Sequence, residues 1–153
     1  RLLQGRPLRE RIRSYKALEG VLPGFSAENV LLSQEARPAR ELADAGAHDK
    51  ALRVFNRLIE SHPRSAALYS DRGVFFYLRG RPGDAIRDWK RAIALDGCYW
   101  PALTSFGSMA AAPPGNGLEL RGYCARSRAC VSKPDDDQAR ELFAAVCARL
   151  QGL

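Results

Sequence analysis

The sequence lacks several features that would place it in a common functional class. No apolar run approaches the roughly 18 residues that a membrane-spanning helix needs, and the N-terminus lacks the apolar stretch of a secretory signal peptide. Histidine occurs only at His48 and His62, and the cysteines form neither a CxxC pair nor a Cys–His spacing typical of zinc ligands. These absences predict a soluble intracellular protein with no metal site and no membrane span.

Nor does the sequence contain a recognisable catalytic arrangement. Serine and cysteine nucleophiles need a nearby base, but His48 begins a predicted helix and His62 lies beside a proline in a predicted turn. The adjacent carboxylates at 135–137 suit the positive end of a helix dipole, and the glycines of the segment PPGNG lack the lysine of a phosphate-binding loop. We therefore predict no enzymatic activity, no catalytic residue, no cofactor and no small-molecule substrate.

The four cysteines are Cys98, Cys124, Cys130 and Cys147. Without metal-ligand spacing, the simplest interpretation is free thiols in a reducing compartment, either a bacterial cytoplasm or the interior of an organelle. A disulfide between Cys124 and Cys130 is the alternative.

Positive charge is concentrated at one end of the chain. The formal net charge is +7. Residues 1–16 contain six cationic residues and one acidic residue, Glu10, so this segment contributes +5 of that total. An arginine-rich segment of this kind attracts polyanions through counterion release. The composition thus leaves RNA or an acidic protein possible as a partner.

A repeat is visible when the sequence is aligned with itself at an offset of 34 residues. Eight positions then match: Gly46 with Gly80, Ala51 with Ala85, Leu52 with Ile86, Arg53 with Arg87, Phe55 with Trp89, Arg57 with Arg91, Leu58 with Ala92 and Ile59 with Ile93. Within each unit the apolar positions have the spacing of a helix that buries one stripe. The glycine before each helix suits a left-handed helix end. The unit is therefore a helix, a tight turn and a second helix.

These positions resemble the tetratricopeptide repeat (TPR) family, whose 34-residue unit has small and large apolar residues at set places. The second unit matches through Tyr69, Gly73, Phe76, Ala85, Trp89 and Ala92, and the first through Ala39, Leu42, Ala51, Phe55, Leu58 and Pro63. Arg72 departs from the pattern, because the family usually has leucine there. Gly73 costs helix stability by about 1 kcal/mol relative to alanine, so we expect a neighbouring helix to approach closely at that point.

The resemblance implies an all-α repeat solenoid of about three TPR-like units. We expect a basic helical extension over residues 1–31, with one helix from about Pro7 to Leu22 and a helical stretch from Ser26 that kinks or breaks at Pro38. The TPR-like domain then covers residues 32–153, with repeats at 32–65, 66–99 and 100–153. The third repeat carries an insertion at about 111–135, and Ala139, Phe143 and Val146 belong to its second helix.

Three surfaces are candidates for binding. The resemblance implies a concave groove formed by the first helices, with contacts from Arg40, Ser70, Val74, Tyr77, Thr104 and Ser108. The 34-residue offset also places Arg53, Arg57, Arg87 and Arg91 in a basic patch on the second helices, although a solvated face balanced by Asp88 and Glu60 explains them too. In the insertion, Leu118, Leu120, Arg121, Tyr123, Arg126 and Arg128 could dock on a partner or on the stack, or belong to a mobile loop.

Two functional hypotheses follow. The first is a protein-protein interaction adaptor, or a scaffold subunit of a larger assembly, that binds other proteins through the groove, the basic arm (residues 1–16) and the insertion. The second is a basic scaffold protein that contacts RNA, as a ribosome-associated protein would. The sequence shows no aromatic residues interleaved with the basic patch, which weakens sequence-specific RNA recognition.

Overall fold

The computed structural model describes residues 5–16 and 26–110, together with Cys124, Glu141, Ala144, Ala145, Cys147 and Ala148. Seven helices lie within the described residues up to Ala110: α1 (Leu8–Tyr15), α2 (Ala27–Glu35), α3 (Arg37–Asp44), α4 (His48–Ser61), α5 (Ala66–Leu78), α6 (Pro82–Leu95) and α7 (Trp100–Ala110). No strand occurs among the described residues. The all-α prediction is confirmed, and none of these helices is long and apolar enough to span a membrane.

The predicted break near Pro38 is present, two residues before the proline itself. Helix α2 ends at Glu35, Ala36 forms a turn, and Pro38 lies in the first turn of α3. Proline fits this place because the first amide groups of a helix have no partner within the helix. The break thus divides one helical stretch into two short helices that can point in different directions.

The turns that follow α3 and α5 have the same hydrogen-bond pattern. In the first, the amide of Gly46 donates to Ala43 (3.0 Å) and that of Ala47 donates to Leu42 (2.8 Å). At the same offset of 34 residues, Gly80 donates to Tyr77 (3.0 Å) and Arg81 to Phe76 (2.9 Å). Both glycines have positive φ, 82° and 71°, as the Schellman motif requires. The prediction that Gly46 and Gly80 end the preceding helices in a left-handed conformation is confirmed.

Helices α5 and α6 approach each other closely at one glycine. A Cβ atom on Gly73 would lie 2.5 Å from Nε1 of Trp89, so only glycine fits there without displacing the indole. The indole N–H donates to the carbonyl oxygen of Ser70 at 3.3 Å. Trp89 is 2% exposed and Phe55 is 1% exposed, each in the core. The close approach expected at Gly73 therefore occurs, and its cause is a tryptophan ring.

The helices pack mainly as two pairs, α3 with α4 and α5 with α6. Helix α5 also contacts α4 of the preceding pair and the earlier helix α2, and α7 contacts α5 and α6. One apolar core runs through these contacts, with Phe55, Trp89 and Phe106 among its largest fully buried side chains. Neighbouring pairs therefore bury their apolar faces against each other.

Parts of the predicted extension and of the third repeat lie outside the described residues. Helix α1 covers the first half of the helix predicted over 7–22, and residues 17–25 are not described. Of the insertion at 111–135, only Cys124 is described. Glu141, Ala144, Ala145, Cys147 and Ala148 are helical, but Ala139, Phe143 and Val146, the apolar residues predicted for that helix, also lie outside.

The prediction of free thiols is wrong for the cysteines that the structure describes. Cys124 forms a disulfide with Cys147, and Cys98 is disulfide-bonded as well. The pairing of Cys124 with Cys130, which the sequence left as an alternative, is therefore wrong too. Cysteine spacing could not show this, because the bonded pair is separated by 23 residues and meets only when the C-terminal segment folds.

Candidate functional site

A pocket of about 500 Å³ lies where α5, α6 and α7 meet. Its lining residues are Val74, Tyr77, Leu78, Trp89, Thr104, Ser105, Ser108 and Met109. Among these lining residues, the large apolar side chains most accessible to solvent are Val74, Tyr77 and Leu78, all on helix α5, whereas Trp89 is buried. Tyr77 packs near that indole, with ring centroids 6.1 Å apart. The pocket thus joins an apolar wall on α5 to a hydroxyl-bearing wall on α7.

The pocket wall on α5 consists of large apolar side chains that are nevertheless exposed to solvent. Val74 is 40% exposed, Tyr77 is 51% exposed and Leu78 is 72% exposed. The eight lining side chains that belong to the described residues are all uncharged, in a chain in which 27% of the residues are charged. Clustered exposed apolar groups of this kind are typical of a binding surface rather than of an ordinary solvated face.

The structure brings four of the six predicted groove residues together. Val74, Tyr77, Thr104 and Ser108 all line the pocket. Ser70 does not, because it is 1% exposed and lies in the core; its prediction as a groove contact is wrong.

The sequence reasoning missed Leu78, Ser105 and Met109, which also line the pocket. Each directly follows a predicted residue, so a wider helix face on α5 and α7 would have included them.

The sixth predicted groove residue, Arg40, belongs to a polar cluster between α2, α3 and α5. Its guanidinium donates to the carboxylate of Asp71 at 2.9 Å and to the carbonyl oxygen of Ser33 at 2.8 Å. The hydroxyl of Ser33 also donates to Asp71, at 3.2 Å. Arg40 is 42% exposed at the side chain, so part of its guanidinium remains accessible to solvent.

Burial controls the titration of this cluster. It raises the pKa of Asp71 above its ordinary value, and the charge of Arg40 and the hydrogen bonds from Ser33 and Arg40 oppose that shift only in part. Burial also raises the pKa of Tyr99, with the nearby carboxylates of Asp71 and Asp96 acting in the same direction. The cluster therefore holds a carboxylate in surroundings that disfavour its charge.

A second ion pair explains the arginine that departs from the repeat pattern. Arg72 binds Asp88 through two hydrogen bonds, Nε to Oδ2 at 2.7 Å and Nη2 to Oδ1 at 2.8 Å. A third nitrogen, Nη1, donates to Asn56 at 2.9 Å. The bond to Asp88 is the main reason that the pKa of Arg72 is raised. The guanidinium also lies over the ring of Phe76, 5.6 Å from its centroid, which covers its flat face with apolar surface.

The four arginines of the predicted basic patch are all exposed. Arg87 is paired with Asp84 at 3.5 Å, and the guanidinium of Arg91 lies 5.8 Å from the ring centroid of Tyr69. Arg53 and Arg57 have no charged partner among the described residues.

Asp88 was one of the two residues, with Glu60, expected to balance this patch. The structure contradicts that expectation, because Asp88 is 4% exposed and binds Arg72.

Among the described residues, no three His, Cys, Asp or Glu side chains are grouped closely enough to hold a metal ion. The predicted insertion contacts Leu118, Leu120, Arg121, Tyr123, Arg126 and Arg128 lie outside the described residues. No protein-family model and no curated protein matches this chain.

Proposed function

We propose that this chain is a TPR-like protein-interaction domain that acts as an adaptor or as a subunit of a larger assembly. The repeated Schellman turns at Gly46 and Gly80 and the close contact of Gly73 with Trp89 support the repeat assignment. The observation that carries the function is the uncharged pocket between α5, α6 and α7, with three exposed apolar side chains on one wall.

The proposed occupant is a peptide segment of another protein that inserts one bulky apolar side chain. A charged anchor is disfavoured, because none of the described lining side chains carries a charge that could compensate a buried one. The hydroxyl groups of Ser105 and Ser108 can pair with the peptide backbone, whereas that of Thr104 already donates to the carbonyl oxygen of Trp100. Tyr77 and Met109 supply adaptable apolar contact area.

Charge complementarity suggests acidic residues beside that anchor. Arg79 directly follows Leu78, is exposed, and its guanidinium has no charged partner among the described residues. The chain as a whole carries +7. Opposite charge at the rim of an interface speeds association and selects partners more than it adds affinity. The proposed ligand is thus an apolar residue flanked by aspartate or glutamate.

A displayed library of random 15-residue peptides tests this proposal directly. We expect selection to enrich sequences with one large apolar residue and acidic neighbours. Binding should fall at least tenfold in the Val74→Glu variant, because the new carboxylate occupies the apolar wall.

Val30→Glu is the matched control, since Val30 is also exposed (42%) but lies on α2 and does not line the pocket. Equal binding by both variants would place the interaction elsewhere and contradict the proposal. Because the anchor is buried, most of the affinity should survive an increase in salt.

RNA contact is the second candidate, and it is favoured by Arg53 and Arg57, which are exposed and have no charged partner in the part of the chain that the structure describes. A single-stranded RNA of mixed sequence is a suitable probe. If RNA is the partner, affinity should fall steeply as salt rises, and Arg53→Ala/Arg57→Ala should weaken binding while Val74→Glu leaves it unchanged. The two functions therefore differ both in salt dependence and in the variant that abolishes binding.

A further inference from the structure

We infer that the disulfides are structural bonds of the mature protein and that the domain works in an oxidising compartment. This reverses the sequence-based prediction of free thiols in a reducing one. The inference does not depend on what the domain binds, and only the argument from the size of the stack rests on the proposed repeat assignment.

The first observation is where the Cys124–Cys147 bond lies. Cys124 is 7% exposed and belongs to the same apolar core as Trp100, Leu103 and Phe106 of α7. Cys147 packs against that core, and the two Cα atoms are 5.8 Å apart, within the range of about 4.4–6.8 Å that a disulfide spans. The bond therefore ties the C-terminal segment to the last well-packed helix.

The second observation is that the remaining described cysteine is bonded too. Cys98 lies in the turn between α6 and α7, packs on the core and is disulfide-bonded. In a reducing compartment all three would remain thiols, so a second bond at Cys98 adds to the case for an oxidising one. Bonds at both Cys98 and Cys124 bracket α7 from either side along the chain.

The physical reason for such bonds is the small size of the stack. About three repeats are needed before a repeat domain is stable, and terminal repeats have neighbours on one side only. A disulfide that closes a loop of 23 residues restricts the unfolded chain and so stabilises the folded one. Such bonds persist in secreted or other oxidising environments and are rare where glutathione keeps thiols reduced.

Thiol trapping in the cells that make the protein tests the compartment. Cells are quenched in acid and treated with N-ethylmaleimide, and the purified protein is digested with trypsin. Cleavage after arginine and lysine places the four cysteines in four separate peptides, with Cys124 in 122–126 and Cys147 in 141–149. We expect these two peptides to be recovered linked and Cys98 to be unmodified by the reagent. The same digest identifies the partner of Cys98. Maleimide on Cys124 or Cys147 in most molecules overturns the inference.

Thermal unfolding tests the structural role. Reduction of the wild-type protein should lower its Tm by roughly 10 °C. The double variant Cys124→Ser/Cys147→Ser should have a lower Tm than the wild type before reduction, and its Tm should fall less than that of the wild type on reduction. An unchanged Tm after complete reduction of the wild type would show that the bonds are not structural. That measurement decides the question even if the double variant does not fold.

Discussion

The interface between α5 and α6 and the interface between α2, α3 and α5 both contain an arginine–aspartate pair, but they are built differently. In the first, the Arg72–Asp88 pair is 19% and 5% exposed at its side chains and has two parallel bonds. In the second, the Arg40–Asp71 pair is 42% and 19% exposed and has one bond between arginine and carboxylate. The pair within the helical hairpin is therefore the more buried and the more precisely aligned.

The difference follows from what each interface must do. Helices α5 and α6 touch at Gly73 and Trp89, so their side chains interlock and a charge there must be paired completely. Helix α2 meets α5 partly through polar contacts, including the side-chain oxygen of Asn29, which accepts the amide of Ala67 at 3.2 Å. We conclude that close packing of side chains holds α5 against α6, and that hydrogen bonds contribute more to the interface between α2, α3 and α5.

The largest effect is expected from Asp88→Asn, which leaves Arg72 without its counter-charge in a closely packed interface. We expect the free energy of unfolding to fall by about 3 kcal/mol, the lower end for a broken buried pair, because Arg72 keeps some solvent contact and its bond to Asn56. Chemical denaturation at neutral pH measures it.

Asp84→Asn is the matched control on the same helix. Asp84 is 28% exposed and pairs with the exposed Arg81 and Arg87, so we expect a loss below about 1 kcal/mol. Equal losses in the two variants would mean that the Arg72–Asp88 pair is no more important than a surface pair, and the comparison of the interfaces would fail.

A smaller effect is expected from Gly73→Ala. The added methyl group would lie 2.5 Å from the indole nitrogen of Trp89. Displacement of the ring should lower the free energy of unfolding by about 1–3 kcal/mol. The gain of about 1 kcal/mol that alanine brings to a helix interior should offset part of that loss.

Gly83→Ala separates these two contributions. A Cβ on Gly83, in α6, would meet nothing within 4 Å, so this variant should become more stable by up to about 1 kcal/mol. If Gly73→Ala were stabilised to the same extent, the close contact with Trp89 would not exist in solution.

The smallest effect is expected from Asp71→Asn, in the less buried pair. Because the folded state raises the pKa of Asp71 above its ordinary value of 3.8, the wild-type protein should lose stability as pH rises from about 4 through the raised pKa. The variant cannot titrate at this position and should lack that loss. At pH 7 the two proteins should differ by less than about 1 kcal/mol.

Denaturation curves of wild type and Asp71→Asn between pH 3 and pH 7 measure this difference. The wild type should lose stability relative to the variant over that interval. If it gained stability instead, Arg40 would dominate over burial and the pKa of Asp71 would be lowered.

Much of the local structure could be predicted from the sequence. The offset of 34 residues identified the second helices of both units, the glycines at 46 and 80 marked the helix ends, and Pro38 marked a break. These predictions succeeded because they depend on backbone conformation and on helical periodicity, which act over a few residues.

The candidate site could be predicted only in part. Val74 and Tyr77 were placed in the groove from their repeat positions, but Ser70 was placed there too and is buried. Repeat position alone does not show how closely two helices approach, and the indole of Trp89 lies against the turn of α5 that holds Ser70. Leu78 and Met109 were missed for the same reason, since the width of an open face depends on the neighbouring helix.

The sequence by itself therefore determined the helices, their ends and the repeated hairpin, because each of these depends on residues close together in the chain. The tertiary structure decided which polar groups and which cysteines meet. Asp88, expected to balance a surface patch, instead pairs with Arg72, and Cys124 pairs with Cys147 rather than with Cys130. The physical reason is that an ion pair or a disulfide needs atoms within a few ångströms of each other, and only the packing of separate helices brings such atoms together.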